Sequence, residues 1–148
     1  MTNAGTEIRV RYAECDMQGR VFNAHYLTWF DIAHTDAICE TLGVSLPDLN
    51  SSGIDFVVSE SGVRYLAPAH FDDRLLVEVA FEPPTTTSLT SRVTVRRDGE
   101  PIATGFLRHV CVDATTWGKR AWPDEIREKL VAAALGPDQR GSSPSTFQ

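Results

Sequence analysis

The sequence predicts an α+β fold in which an antiparallel sheet of about five strands wraps around one long helix. Three observations carry this expectation. Two segments, Glu7 to Tyr12 and Leu75 to Phe81, have the alternating period of a half-buried strand, and three further runs are strand-like. One segment of about twenty residues repeats its apolar residues at helical spacing instead. Strands and helices also fail to alternate along the chain as they do in a parallel doubly wound sheet.

Glu7-Ile8-Arg9-Val10-Arg11-Tyr12 alternates charge with apolar side chains and reads as the first strand. From about Asn23 to Leu42 the residues Leu27, Phe30, Ile32, Ala33, Ala37, Ile38 and Leu42 fall at helical spacings, and Gly43 supplies a stop. Such a helix spans about 30 Å. Being apolar over much of its circumference, it needs cover on most sides, which a curled sheet provides. The polar stretch Asp48 to Gly53 reads as a connection. Four strand-like runs follow, about Phe56 to Leu66, Leu75 to Phe81, Ser88 to Arg97 and Pro101 to Val112. Asp98-Gly99 marks a tight hairpin between the last two, so the runs form a meander. Long edge strands such as the first or third would be left unpaired in one copy, which argues for assembly. Pro123-Asp124-Glu125 opens a short amphipathic helix running to Leu135, and Gly136 to Gln148, rich in Gly, Ser and Pro, reads as a flexible tail. The expected organisation is a single domain over residues 1–135 followed by a tail over 136–148.

At 148 residues the chain is long enough to bury one core without disulfide or metal staples. Fourteen Lys and Arg against 20 Asp and Glu leave a net charge of −6, which argues against nucleic acid or an anionic membrane as the main partner. Cys15, Cys39 and Cys111 are odd in number and lack metal-site spacing, so reduced thiols in the cytoplasm are expected. The first ten residues lack the apolar run of a signal peptide, and no stretch is apolar enough to span a bilayer.

The segment Tyr12-Ala13-Glu14-Cys15-Asp16-Met17-Gln18-Gly19-Arg20-Val21-Phe22-Asn23-Ala24-His25-Tyr26 carries the chemistry. It puts one carboxylate, Asp16, in a Gly-containing loop just ahead of the long helix. A helix N-terminus offers unpaired N–H groups and positive potential, so a carbonyl held there is polarised while Asp16 supplies the attack. The same segment resembles the active-site loop of hotdog-fold acyl-CoA thioesterases of the 4-hydroxybenzoyl-CoA thioesterase class. Their pattern, Asp-x-x-Gly-x-Val-x-x-x-x-Tyr followed by an aromatic-rich helix, is met by Asp16, Gly19, Val21 and Tyr26 and continues through Leu27, Trp29, Phe30 and Asp31. Val63-Arg64-Tyr65-Leu66-Ala67-Pro68-Ala69 resembles the strand that follows the helix, so the likeness covers roughly residues 6 to 130.

The resemblance implies roles. Asp16 becomes the nucleophile or the general base to water, where the bland alternative is a turn-capping Asp. Asn23 offers its backbone N–H to the thioester oxygen; its bland role is an N-cap, which uses different atoms. Gly19 answers a backbone need, either positive φ or close approach of a ligand. Tyr26 lines the acyl pocket or belongs to the core. Arg20 and Phe22 stand where many members carry His and Asn. Val-Phe is found in the 4-hydroxybenzoyl-CoA branch, so this departure bears on the acyl group more than on the reaction. Arg20 meets a substrate carboxylate or CoA phosphate, or is an exposed loop residue. Glu60 reaches the site from an opposing subunit or faces solvent on its strand. Arg64, Arg92, Arg96, Arg97 and Arg108 are candidates for CoA phosphates. His25 and His34 titrate near neutrality, but His34 on an apolar helix face is better read as a core or interface histidine.

Neither histidine has a partner at metal-ligand spacing, so no metal is expected, and coenzyme A enters only as part of the substrate. No Gly-x-Ser-x-Gly elbow is present, and Cys15 alone supports a Cys hydrolase weakly. Within the fold, neither the Asp-x-Asn-Pro-like loop of a hydratase nor the His-Gly-Gly loop of the other thioesterase branch occurs. The expected function is hydrolysis of an acyl-CoA or acyl-carrier-protein thioester by a homodimer or homotetramer. A non-catalytic acyl-CoA-binding or regulatory hotdog module is the alternative, and it needs no carboxylate at Asp16.

Overall fold

A computed structural model describes residues 5–134; the expected tail over 136–148 lies outside them. The chain runs β1 (Thr6–Arg9), a 3₁₀ turn (Tyr12–Glu14), α1 (His25–Leu42), α2 (Leu46–Ser51), β2 (Ile54–Tyr65), β3 (Arg74–Phe81), β4 (Ser88–Arg97), β5 (Glu100–Asp113) and α3 (Asp124–Ala134). The five strands form one fully antiparallel sheet in the order β1-β3-β4-β5-β2. The architecture is the expected α+β class.

Alternation in β3 and β4 sends Leu75, Val77, Val79 and Phe81, and Leu89, Val93 and Val95, to the buried face. Register then sets these residues opposite one another, Val79 across from Val93 and Val95 across from Ala103. The β4–β5 hairpin turns at Asp98 and Gly99, both with positive φ (52° and 82°), as the Asp-Gly pair requires. Against this face α1 buries Tyr26, Trp29, Phe30, Ala33, His34, Ala37, Ile38 and Leu42. Burial of that many large side chains is the main source of stability, at about 1.5–3 kcal/mol for each fully buried Leu, Ile or Phe. A β-carbon on Gly105 would stand 2.5 Å from the Phe30 ring and 2.2 Å from the Gly62 carbonyl, so only glycine lets helix and strands approach this closely.

Four expectations are corrected. The first strand stops at Arg9, because Tyr12–Glu14 closes into a 3₁₀ turn in which the Glu14 side chain accepts from the Arg11 N–H. The helix begins at His25 and has 18 residues, about 27 Å, ending at Gly43 with φ 69°. Part of the polar connection folds into α2, where Ser45 caps the Asp48 N–H and Pro47 sits in the first turn. Finally, the edges of the sheet are β1 and β2, and the third strand is interior, between β1 and β4. The meander therefore holds only over β3, β4 and β5; β2 pairs with β5 from Ile54–Asp113 to Tyr65–Ala103, with an irregularity between Val58 and Glu60, and so lies at the far edge.

Candidate active site

The loop after the 3₁₀ turn closes on itself. Cys15 bridges Val21, the Asp16 N–H donates to the Arg20 carbonyl at 2.8 Å, and the Gly19 N–H to the Asp16 carbonyl at 3.0 Å. Gly19 has φ 75° and nothing within 4 Å of where a β-carbon would lie, so the position requires a left-handed backbone, not a close contact. The Asp16 carboxylate accepts from the Gln18 N–H (2.8 Å) and the Arg20 N–H (3.3 Å), both through Oδ1. It is exposed and lines a cleft of about 360 Å³ with Tyr12, Cys15, Met17, Gly19 and Phe71. Tyr12 and Phe71 meet edge to face across 5.9 Å.

Two anchors hold this loop. On one side Glu14, buried at 4% exposure, accepts from the Arg11 N–H (2.8 Å) and the Trp29 indole N–H (2.9 Å). Burial alone would raise its carboxyl, but these bonds and the Arg11 guanidinium outweigh that, and the net shift is downward. On the other side the Ala69 carbonyl accepts the Val21 N–H at 2.9 Å and the Ala69 N–H donates to the Tyr26 hydroxyl oxygen, while Arg20 bridges His70. Partial burial, then the Glu14 and Asp16 charges, push the Cys15 thiol up, which disfavours a thiolate nucleophile.

Of the other expected site residues, Phe22 is exposed beside His25, with ring centroids 6.2 Å apart. Arg20 is exposed in the loop. The start of α1 does not use Asn23 as its cap, the bland alternative for that residue. Its N-cap is Ala24, with no side-chain cap, and Asn23 instead offers its carbonyl to the Tyr26 N–H (3.3 Å) and to the Tyr65 hydroxyl (3.0 Å). Tyr26 does not line the cleft. It is 2% exposed, its ring packed on Trp29 (4.8 Å) and Tyr65 (5.0 Å), and burial raises its hydroxyl. Glu60 lies apart from Asp16, on β2, paired with Arg108 at 3.3 Å. With Arg64, Arg92 and Phe106 these two line a second groove of about 500 Å³. Arg96 and Arg97 are engaged structurally, Arg96 with Glu78 and Arg97 with Asp73 and the Pro68 carbonyl.

His34 is a core histidine. Its Nδ1 lies 2.7 Å from Ser91 Oγ, and its ring stacks on that of His109 at 3.9 Å and 8°, among Phe56 and Phe81. Among the described residues no group of three or more His, Cys, Asp or Glu is placed to hold a metal ion, and no helix is long and apolar enough to cross a membrane. Glu14, Tyr65, Phe71 and His109 escaped the sequence reading. Only Glu14, two residues before Asp16, had a local signal.

A glycine-bearing carboxylate loop ahead of a helix start, beside a five-stranded antiparallel sheet, is the α+β arrangement that the resemblance to hotdog-fold thioesterases implies. Comparison with known proteins agrees. The sequence profile described as "Thioesterase-like superfamily" matches residues 10–130. The chain is 31% identical over 121 residues to the acyl-CoA thioester hydrolase YbgC of Escherichia coli O6:H1, covering 80% of this chain and 89% of that protein. It is 29% identical over 127 residues to the long-chain acyl-CoA thioesterase FadM of Escherichia coli K12, covering 84% and 95%. The crystal structure of TT1821 from Thermus thermophilus superimposes with a TM-score of 0.82 at 30% identity, over 88% of this chain and 99% of that one. The chain belongs to the thioesterase-like superfamily and is a thioester hydrolase.

Proposed function

We propose that the protein hydrolyses acyl-CoA thioesters to the free acid and thiol, with Asp16 as nucleophile or general base and the Asn23 N–H at the start of α1 as oxyanion donor. The observation that carries this reading is the exposed Asp16 carboxylate, held through one oxygen only, in a cleft immediately ahead of a helix start that no side chain caps. The uncapped N-terminus supplies positive potential where the tetrahedral oxyanion forms. Asp16 either attacks the carbonyl, breaking the C–S bond to release the thiolate and leave an acyl anhydride on Asp16 that water then cleaves, or takes a proton from the attacking water. A thiol leaving group of pKa about 8.5 departs without a strong general acid. No cofactor or metal is required beyond the coenzyme A of the substrate.

The relatives' names support an acyl-CoA substrate but differ in acyl group, FadM being named for long chains. Val21-Phe22 supports placement near the 4-hydroxybenzoyl-CoA branch. A homodimer pairing β2 edge to edge accounts for that 12-residue strand's open edge and for exposed Val57 and Val58. Such pairing would bring Glu60 toward the partner's site. In this reading α1 is the central helix, residues 1–135 are one domain, and the unpaired thiols fit the cytoplasm.

The test is thiol release from benzoyl-, phenylacetyl-, short- and medium-chain acyl-CoAs by wild type beside Asp16→Asn. Turnover abolished in a folded variant supports the reading. Equal turnover in both removes Asp16 from the mechanism, and tight binding with no turnover in either favours a binding module.

A further inference from the structure

We propose that Tyr65, at the end of β2, is a positioning residue: its hydroxyl holds the Asn23 carbonyl and so fixes the direction in which the first N–H groups of α1 point. This rests on the reading of the α1 start as the oxyanion site. A helix usually fixes its first turn with a capping side chain from its own N-cap, and here the N-cap is alanine and makes no such bond. Beside the Tyr26 N–H, which the Asn23 carbonyl accepts at 3.3 Å, a further constraint comes from 42 residues away, where Tyr65 Oη donates to that carbonyl at 3.0 Å. A peptide group is planar, so a bound carbonyl on Asn23 also sets the Ala24 N–H, which points the opposite way in the same plane. The preceding N–H, that of Asn23, lies in the adjoining Phe22–Asn23 peptide, whose carbonyl accepts the His25 N–H at 3.1 Å, so the two planes are held from separate directions about the Asn23 Cα.

Tyr65 is itself well held. It stands edge-on to the buried ring of Tyr26, 5.0 Å between centroids and 86° between planes. Tyr26 in turn leans on Trp29, whose indole N–H is bonded to Glu14 beside the Asp16 loop. The hydroxyl thus closes a continuous path from the carboxylate loop through α1 to the strand. With 45% of its surface exposed, Tyr65 contributes little to the core. Tyr65 lines neither the Asp16 cleft nor the groove of Glu60 and Arg108, and its hydroxyl is bonded to the Asn23 carbonyl. Oxyanion donors accelerate a reaction in proportion to how well they are aimed in advance.

The experiment compares full-length wild type, Tyr65→Phe and Asp16→Asn with the acyl-CoA of the panel above that wild type turns over fastest. Phenylalanine keeps the ring against Tyr26 and removes only the hydroxyl. The expected result is a kcat about tenfold lower, which is about 1.4 kcal/mol of transition-state stabilisation. KM and melting temperature stay at wild-type values. An unchanged kcat in Tyr65→Phe overturns the proposal, as does a fall in kcat matched by loss of thermal stability. Loss of activity in Asp16→Asn with wild-type kcat in Tyr65→Phe rejects the positioning role alone. Full activity in Asp16→Asn, or a wild type inert toward every substrate tested, overturns the functional reading and this proposal together.

Discussion

The Asp16 loop and the His34–His109 stack are both built on polar side chains, yet the molecule treats them in opposite ways. Asp16 is open to solvent, bonded only to the N–H groups of its own loop. His34 and His109 are 2% and 4% exposed, and among the described residues His34 Nε2 and His109 Nδ1 have no hydrogen-bond partner. Unpaired buried nitrogens cost stability, tolerated here because the rings supply apolar surface to the aromatic cluster around them. The loop's geometry makes a reactive group available; the stack's geometry lowers the pKa of two titratable groups. Exposure, more than residue type, separates a candidate reagent from a structural member.

Substitution should separate the two sharply. Asp16→Asn is expected to lower kcat about 10³-fold, the scale of lost general-base or nucleophilic catalysis, with an unchanged urea midpoint. Had the loop been structural, the midpoint would fall with activity. Gly105→Ala should act the other way. Its methyl has no room beside Phe30 and the Gly62 carbonyl, and a loss of about 3 kcal/mol is expected in denaturant titrations. A wild-type midpoint for that variant would mean that helix and sheet have slack.

Acid should find the histidines. Burial, then the neighbouring His109, hold the His34 imidazole well below its ordinary range; burial also lowers His109, with the Asp31 charge opposing it. Their depressed folded-state pKa values mean that the unfolded chain binds protons first, below about pH 6.5. This contribution to stability is therefore complete above pH 6.5 and lost as pH falls toward the lower folded-state values. The slope is at most about 1.4 kcal/mol per pH unit for each ring. Melting curves between pH 7 and pH 5 measure it, and His34→Phe should flatten the slope. The smallest effect is expected at Gly19→Ala, about 1 kcal/mol of local strain, read as a modest fall in kcat/KM with little change in melting temperature.

Much of the fold was legible because its signals are local. Period-two alternation fixed β3 and β4 almost to the residue, Asp98-Gly99 fixed their hairpin partner, and Gly43 fixed the end of α1. Asp16 and Gly19 were legible as one loop for the same reason. What failed depends on residues distant in sequence. The crossing of β2 to the far edge is decided by pairing with β5. The His34, Ser91 and His109 cluster joins three elements, and Tyr26 reads as either pocket or core until Trp29 and Tyr65 close over it. The six-residue α2 was missed because one Ser cap and one Pro make a weak signal inside a polar stretch.

The contacts that build the site also set when it can come into existence. Val21 is tied to Ala69, Arg20 to His70 and Asn23 to Tyr65. All three partners lie in the six residues that leave β2, and each contact closes more than forty residues of chain. A helix such as α1 forms within about a microsecond from its own sequence, whereas loops of that length must first give up their closure entropy. Refolding from denaturant should therefore restore helical circular dichroism before it restores thiol release, with the lag set by the docking of β2.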